Sequence, residues 1–195
     1  MALFYSAALA WFSSAVDTLA RLRTEGHVVS RKGSGSFVRE PPRPASPNFG
    51  PLHSIPDMRA FLEFRCNVES EVAAHAARCA DPKAIAAICQ ARQHLEEEVA
   101  RGGAALETDV AFHHAIALAS GSRFFLATLE AFREQMILGI RLTRELAGLP
   151  SADRRPEISR EHACIAAAIE ARDPDAARKA MADHLHGGIR RLFGA

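Results

Sequence analysis

The sequence is poor in aromatic residues and contains no closely spaced pair of cysteines. Only 7% of its 195 residues are aromatic, with one Trp and one Tyr, whereas alanine is abundant. Because aromatic and β-branched residues favour strands and alanine favours helices, this composition favours a helical fold over a β-sandwich. The four cysteines lie ten or more residues apart. This spacing excludes a compact disulfide framework and indicates reduced thiols in a cytoplasmic protein.

The sequence also lacks a strong net charge and a long uncharged apolar segment. Its 24 Lys and Arg residues almost balance its 23 Asp and Glu residues, for a net charge of +1. This balance argues against a basic coat over the whole chain, although a local basic patch would be compatible with it. The apolar residues 1–20 lack the basic start of a signal peptide. We therefore expect a cytoplasmic protein with no membrane partner.

A proline-rich segment divides the chain. Six prolines lie between residues 41 and 56, a density that no regular helix or strand tolerates. We expect an N-terminal domain at residues 1–40, a linker at 41–55 and a second domain at 56–195.

Helical spacing and turn residues predict the elements of both domains. In the first domain they predict a helix over residues 14–25 and a β-hairpin around the basic loop Arg31–Gly35. In the second domain, capping and stop signals predict six helices joined by short loops. The helices are expected at about residues 57–80, 82–102, 105–120, 123–147, 156–172 and 174–192. The fold class is therefore mainly α, an antiparallel bundle of six to seven helices with a short β-hairpin before it.

Three of the nine histidines fall on the apolar faces of predicted helices. His162 shares a stripe with isoleucines of its helix, and His184 shares one with Ala177 and Met181. His113 lies one turn after Asp109 on a third helix, on the side that carries its apolar residues.

A carboxylate and imidazoles on inward faces are costly to bury unless a partner satisfies them. A divalent metal ion would satisfy all four residues, Asp109, His113, His162 and His184, together. Three imidazole nitrogens and one carboxylate oxygen suit Zn, Ni, Mn or Fe and leave a position for water or a ligand. The alternative is that each histidine is a core residue with a hydrogen-bond partner of its own.

Two arginines also interrupt apolar stripes. Arg65 lies among apolar residues of the first bundle helix, and Arg133 lies similarly on the fourth. A buried guanidinium needs an anion, which would be either the carboxylate of a bound ligand or a protein carboxylate such as Glu69. Both arginines are therefore candidate ligand-binding residues, with an internal salt bridge as the alternative.

No common catalytic or nucleotide-binding motif is present in the sequence. A helical metalloenzyme acting on a small carboxylate nevertheless remains an alternative function. In that case His114 or Glu161 would be the candidate general base.

Several segments resemble the GntR-type transcriptional regulators. The stretch LARLRTEGHVVSRKGSGSFV, from Leu19, resembles the end of a recognition helix and the wing of their winged helix-turn-helix. From about Ile55 the chain resembles the FCD ligand-sensing domain of the FadR subfamily. The segments that carry this second resemblance are FRCNVESEVAAHAA, TDVAFHHAIALASGS, EHACIAAAIEARDPDAA and AMADHL.

The resemblance implies roles for the residues singled out above. Asp109, His113, His162 and His184 match the family's metal ligands, and Arg65 matches the arginine that meets the effector's carboxylate. It also implies a homodimer that binds small organic or sugar acids and operator DNA. The expected function is thus a metal-containing, carboxylate-responsive DNA-binding regulator without enzymatic activity.

The N-terminal domain departs from the family's pattern. Residues 1–12 do not resemble the two helices that precede the recognition helix in these regulators, so we expect a partial winged helix. Its wing would contact DNA through Arg31 and Lys32, and Gly33 and Gly35 would permit close backbone approach. A sensing or dimerisation module without DNA binding is the remaining alternative.

Overall fold

The computed structural model describes residues 17–24, 28–38, 49–145 and 151–194. The chain divides into two compact units, residues 1–46 and residues 47–195. Residues 14–16 and 25 of the predicted first helix, and residues 39–48 around the proline-rich segment, lie outside the described residues.

The first unit contains a helix and a β-hairpin. Residues 17–24 are helical (α1), and strands β1 (Val28–Arg31) and β2 (Gly35–Val38) pair antiparallel, with Arg31 opposite Gly35. Gly33, with a φ of 81°, occupies the turn, in the left-handed region that glycine enters without strain. The guanidinium of Arg23 on α1 donates hydrogen bonds to a serine hydroxyl of each strand, at 2.7 and 3.2 Å. The predicted hairpin is therefore confirmed.

Seven helices make up the described part of the second unit. They are α2 (Ile55–Cys79), α3 (Pro82–Ala100), α4 (Leu106–Ala119), α5 (Arg123–Ala131), α6 (Arg133–Glu145), α7 (Ser151–Glu170) and α8 (Pro174–Phe193). The fold class, a mainly α bundle of six to seven helices with a β-hairpin before it, is confirmed.

The starts of two helices follow directly from the sequence. Asp81 and Asp173 each precede a proline at the first helical position and cap their helices with a side-chain oxygen. Asp81 accepts a hydrogen bond from the amide of Ala84 at 2.7 Å, which satisfies a helix-end donor that has no partner within the helix.

The prediction of one continuous helix over residues 123–147 is wrong. The helix breaks at Phe132, which has φ −112° and ψ 19° and is fully buried. Its ring makes edge contacts with Phe49, Phe61 and Phe64 at centroid distances of 5.6–5.8 Å. The break thus accompanies an aromatic cluster that joins the buried Phe132 to two rings of α2 and to Phe49.

Helix α7 also differs from its predicted start at Pro156. It begins at Ser151 and continues through that proline, which has no amide hydrogen to donate within the helix.

Helix α2 forms the centre of the bundle and packs against α4, α7 and α8. Its buried residues include Val72 and four alanines, whose small side chains permit close helix packing. The three neighbouring helices carry the histidines singled out in the sequence. In the described residues no helix is both long and apolar enough to cross a membrane.

Candidate metal centre

Three histidines from three different helices meet inside the bundle. His113 on α4, His162 on α7 and His184 on α8 are all buried. Each offers one ring nitrogen within 4.8 Å of those of the other two. The rings of His162 and His184 are closest, with centroids 4.5 Å apart. The packing of α4, α7 and α8 therefore brings together three groups that are far apart in the chain and that could hold a metal ion.

Asp109 directs one carboxylate oxygen towards this cluster. Its Oδ1 lies 3.5 Å from Nε2 of His113 and 4.0 Å from Nε2 of His162. Its Oδ2 accepts a hydrogen bond from Nη2 of Arg144 at 2.8 Å. Burial alone would raise the pKa of Asp109, but His113, His162 and Arg144 outweigh it and hold that pKa well below its usual range. The carboxylate is therefore charged and has an oxygen on the side of the histidines.

Three ring nitrogens of the cluster have no hydrogen-bond partner among the described residues. They are Nδ1 and Nε2 of His113 and Nε2 of His162, all fully enclosed, and the two Nε2 atoms lie on the side of Asp109. A buried polar atom without a partner costs free energy, and a metal ion coordinated by the two Nε2 atoms would remove that cost for them. The three imidazole nitrogens lie close enough together to share a divalent transition metal, and the carboxylate oxygen beside two of them is a ligand type that suits the same ions.

Behind His184 lies a chain of two charged residues. Nδ1 of His184 donates to Oε2 of Glu161 at 2.8 Å. Glu161 in turn accepts two hydrogen bonds from Arg191, at 2.8 and 3.0 Å. A carboxylate on the far nitrogen is the usual way in which proteins orient a metal-binding histidine, and here it leaves Nε2 for the cluster.

A similar chain lies behind His113. Its Nδ1 is 2.5 Å from Oε2 of Glu69, a close contact of charges that lacks hydrogen-bond geometry. Oε1 of Glu69 accepts a hydrogen bond from Nε of Arg65 at 2.6 Å, and both side chains are at least 96% buried. Arg65 is thus an internal salt-bridge partner of Glu69, one of the two alternatives that the sequence left open.

The charges of the site determine which groups hold protons. Burial by itself would raise the pKa of Glu69, but Arg65 and His113 outweigh it and lower that pKa to about 2. Burial alone would lower the pKa of His113, but Glu69 and Asp109 raise it to about 9. For His162, burial and the neighbouring His184 move the pKa well below its ordinary value. The negative charges of Glu69 and Asp109 thus favour a positive charge at the point where His113 approaches Asp109.

A small cavity of about 50 Å³ opens onto these groups. It is lined by Arg65, Asp109, Arg144, His184 and Arg191, together with aliphatic residues of α2, α6, α7 and α8. Guanidinium groups are the preferred partners of carboxylates in proteins, so the lining suits a small anion.

Arg133, the second arginine suggested by the sequence, does not reach this cavity. It is the first residue of α6, and its half-exposed side chain pairs with Glu107 of α4. The first residue of a helix is not covered by a preceding helical turn, and the side chain of Arg133 extends outward. The inference that Arg133 faces inward is therefore wrong, and its salt bridge with Glu107 lies at the surface and is not the internal one that was the alternative. His114 is also partly exposed, 3.6 Å from Glu130, and is not part of the cluster.

The sequence reasoning missed two of the arginines at the site. Arg191 follows His184 by seven residues, a helical spacing that indicates a shared face. Arg144 gave no such signal, because its contact with Asp109 depends on how α6 crosses α4. The sequence offers Glu161 only as a candidate general base, and its contact with His184 depends on the packing of α7 against α8.

The four wing residues lie on the hairpin of the first unit. Arg31, Lys32, Gly33 and Gly35 are all exposed, and the Arg31 guanidinium lies 5.9 Å from the ring centroid of Phe37. Gly33 and Gly35 both have a positive φ. The loop therefore presents two cations at a tight turn.

Comparison with known proteins decides the family. Residues 60–187 match the family model of the FCD domain. The chain is also 32% identical over 179 residues to the putative L-lactate dehydrogenase operon regulatory protein of Escherichia coli (strain K12). This match covers 87% of the chain and 67% of the relative, and the same values hold for the protein of that name from Shigella flexneri. The chain belongs to the FCD-containing GntR-type transcriptional regulators.

Solved structures show the same fold. A Streptococcus agalactiae GntR protein superposes with a TM-score of 0.63 at 21% identity, covering 92% of this chain and 81% of that one. The McbR/YncC protein of E. coli also superposes with a TM-score of 0.63, at 18% identity, covering 91% and 82%.

The chain's family is one of transcriptional regulators and its curated relatives are named as a regulatory protein, which favours a regulator over the metalloenzyme alternative. The matched FCD segment contains all three clustered histidines as well as Asp109 and Arg65. Arg191 lies outside that segment.

Proposed function

We propose that this regulator senses a small carboxylic acid at a divalent metal ion held by Asp109, His113, His162 and His184. The observation that carries the proposal is the meeting of three buried histidines, two of which have an unpartnered Nε2 beside a charged carboxylate. When bound, the metal would supply a Lewis-acidic position for one oxygen of the effector.

The charge balance around the cavity supports an anionic effector. Three arginines, Arg65, Arg144 and Arg191, face three carboxylates, which are Asp109, Glu69 and Glu161. The three positive and three negative charges cancel. A divalent cation would therefore add a net positive charge, which the negative charge of a bound carboxylate would reduce. Among the described residues the guanidinium of Arg65 donates only through Nε, to Glu69, so its Nη1 and Nη2 can meet the effector.

The name of the E. coli relative suggests one acid to test first. That protein is called a regulator of an L-lactate dehydrogenase operon, and lactate is a small 2-hydroxy acid whose carboxylate and hydroxyl oxygens can chelate a metal. We therefore use L-lactate as the first probe.

The metal centre joins several helices, which supports a role in switching. Its proposed ligands lie on α4, α7 and α8, and Arg65 and Glu69 lie on α2. An effector that binds one arrangement of these helices more tightly shifts the population towards it. The affinities for effector and for operator DNA must then change by the same factor.

For the output we propose DNA binding by a homodimer. In this proposal residues 1–40 supply the DNA-binding part, residues 41–55 the linker and residues 56–195 the sensing domain. Arg31 and Lys32 on the exposed hairpin would contact phosphates, and Gly33 and Gly35 would permit close approach to the minor groove. Light scattering of the purified chain measures the oligomeric state.

Two measurements test this function. Metal analysis should find close to one divalent ion per chain and almost none after joint replacement of His113 and His184 by alanine. The matched control is His114→Ala, which removes a histidine beside the cluster and should keep the ion. Full occupancy in the double variant would refute the assigned ligands.

The second measurement is a titration of operator binding with L-lactate and other small acids, using DNA from beside the protein's own gene. A change in operator affinity supports the regulator. If acids bind but operator binding never changes, the switching mechanism is wrong, and the complete absence of specific DNA binding would favour a sensing module alone.

A further inference from the structure

A second, larger cavity adjoins the metal centre. It has a volume of about 230 Å³ and lies between α3, α6, α7 and the segment that joins α3 to α4. Aliphatic side chains, namely Leu95, Val99, Leu106 and Ile158, contribute much of its wall, and His162 of the histidine cluster also lines it.

The acidic group at this cavity is already partnered. Glu96 forms an ion pair with Arg92 one turn before it and accepts a hydrogen bond from Ser159 at 3.3 Å. Arg141 and Arg144 of α6 also line the cavity. A ligand that enters it therefore meets chiefly aliphatic side chains, with these two arginines along α6 and no unmatched carboxylate. Such a lining suits an apolar group.

The two cavities are neighbours on either side of the candidate metal centre. Thr143, Arg144 and Ile158 line both of them. His162 lies in the wall of the larger cavity, whereas His184 and Asp109 lie in the wall of the smaller one. The two cavities therefore share these three side chains, and a ligand that occupies both must pass beside Ile158.

We propose that the effector is a carboxylic acid with an apolar body of several carbon atoms, and that this body occupies the larger cavity. This inference rests on the proposed function, since the carboxylate end is placed at the metal centre and Arg65. Val99, Leu95 and Ile158 then select the effector by the size and shape of its apolar part.

The two volumes agree with this division of the ligand. At roughly 10–15 Å³ for each enclosed water position, the smaller cavity holds about four waters, enough for a carboxylate and its adjacent carbon. The larger cavity has more than four times that space and would stay empty around an acid as short as lactate.

A series of straight-chain 2-hydroxy acids with three, four, six and eight carbons tests the proposal by calorimetric titration of the zinc-supplemented protein. Each added methylene should tighten binding by about fourfold until the cavity is filled, which corresponds to roughly 0.8 kcal/mol for each buried CH₂. Binding that does not change with chain length would overturn the proposal and leave the proposed function intact.

A variant that fills the cavity provides the structural control. Val99→Phe should abolish most of the gain for the eight-carbon acid and leave the affinity for the three-carbon acid within twofold. Val68→Phe makes the same change at a similarly half-buried position of α2 that lines neither cavity, and it should keep the whole gain. Equal loss in both variants would contradict the assignment of the cavity.

A neutral probe separates this inference from the proposed function. 1-Hexanol, which has no carboxylate, should raise the melting temperature of the wild type and not of Val99→Phe. If hexanol has this effect but no acid of any length binds, the cavity is accessible to an apolar group. The proposed function, the sensing of a carboxylic acid at the metal centre, is then refuted.

Discussion

Nδ1 of His184 donates a hydrogen bond of 2.8 Å to Glu161, which leaves the other ring nitrogen of the histidine for the centre of the bundle. Arg191 holds the same carboxylate through two further hydrogen bonds. These contacts lower the pKa of Glu161 to about 2 although burial opposes them, so the carboxylate stays charged at any physiological pH. The orientation of His184 therefore depends on a residue that does not itself face the cluster.

Replacing Glu161 with Gln should weaken metal binding without removing the site. The amide has nearly the same shape but lacks the charge that makes His184 a better ligand, so we expect a 10- to 100-fold loss of affinity. Competition with a chromogenic chelator measures this loss, with the stoichiometry remaining close to one. The control is Glu157→Gln, on the same helix but exposed and 3.7 Å from Arg191. Equal affinities in the two variants would contradict the orienting role.

Removal of the metal should lower the melting temperature of the protein. A ligand at a thousand times its dissociation constant stabilises the folded state by about 4 kcal/mol. In a domain of this size that corresponds to a shift of roughly 8–16 °C. Differential scanning calorimetry with and without EDTA measures the shift, and added zinc should restore it. The joint His113 and His184 alanine variant should not respond to EDTA; a response of the same size would show that the metal binds elsewhere.

Two arginines on α2 allow a direct comparison of a buried and an exposed ion pair at the same spacing. Arg65 pairs with Glu69 in the interior, whereas Arg59 pairs with Glu63 on the surface, where both side chains are more than half exposed. Arg65→Ala leaves Glu69 charged and partly unpaired, so we expect a loss of about 3–5 kcal/mol in the free energy of unfolding. Arg59→Ala should cost less than about 1 kcal/mol. Urea denaturation in EDTA measures both, and similar losses would contradict this account of Arg65.

The exposed hairpin makes a prediction about the salt dependence of DNA binding. Each phosphate contact contributes nearly one unit to the slope of log affinity against log salt concentration. Lys32→Ala should therefore reduce that slope by about 1 and weaken binding to all sequences alike. Lys83→Ala removes an exposed lysine of α3 and serves as the control. An unchanged slope for Lys32→Ala would exclude this lysine from the DNA contact.

Much of the fold could be predicted from local signals in the sequence. Asp81-Pro82 and Asp173-Pro174 marked helix starts correctly, because capping depends on groups within one turn. The break at Phe132 could not be predicted in this way. It occurs where one aromatic ring packs against three others from distant parts of the chain.

The sequence by itself determined which side of each helix carries the candidate ligands. Residues at helical spacing share a face whatever surrounds them, so Asp109, His113, His162 and His184 were expected to face inward, and all four are buried. The tertiary structure decided which charged groups meet them. Arg65 pairs with Glu69, Arg144 and Arg191 reach the cavity, and Arg133 stays outside it. These outcomes depended on how the helices cross and where they end. Crossing angles and helix ends arise from the packing of whole helices, and no local spacing encodes them.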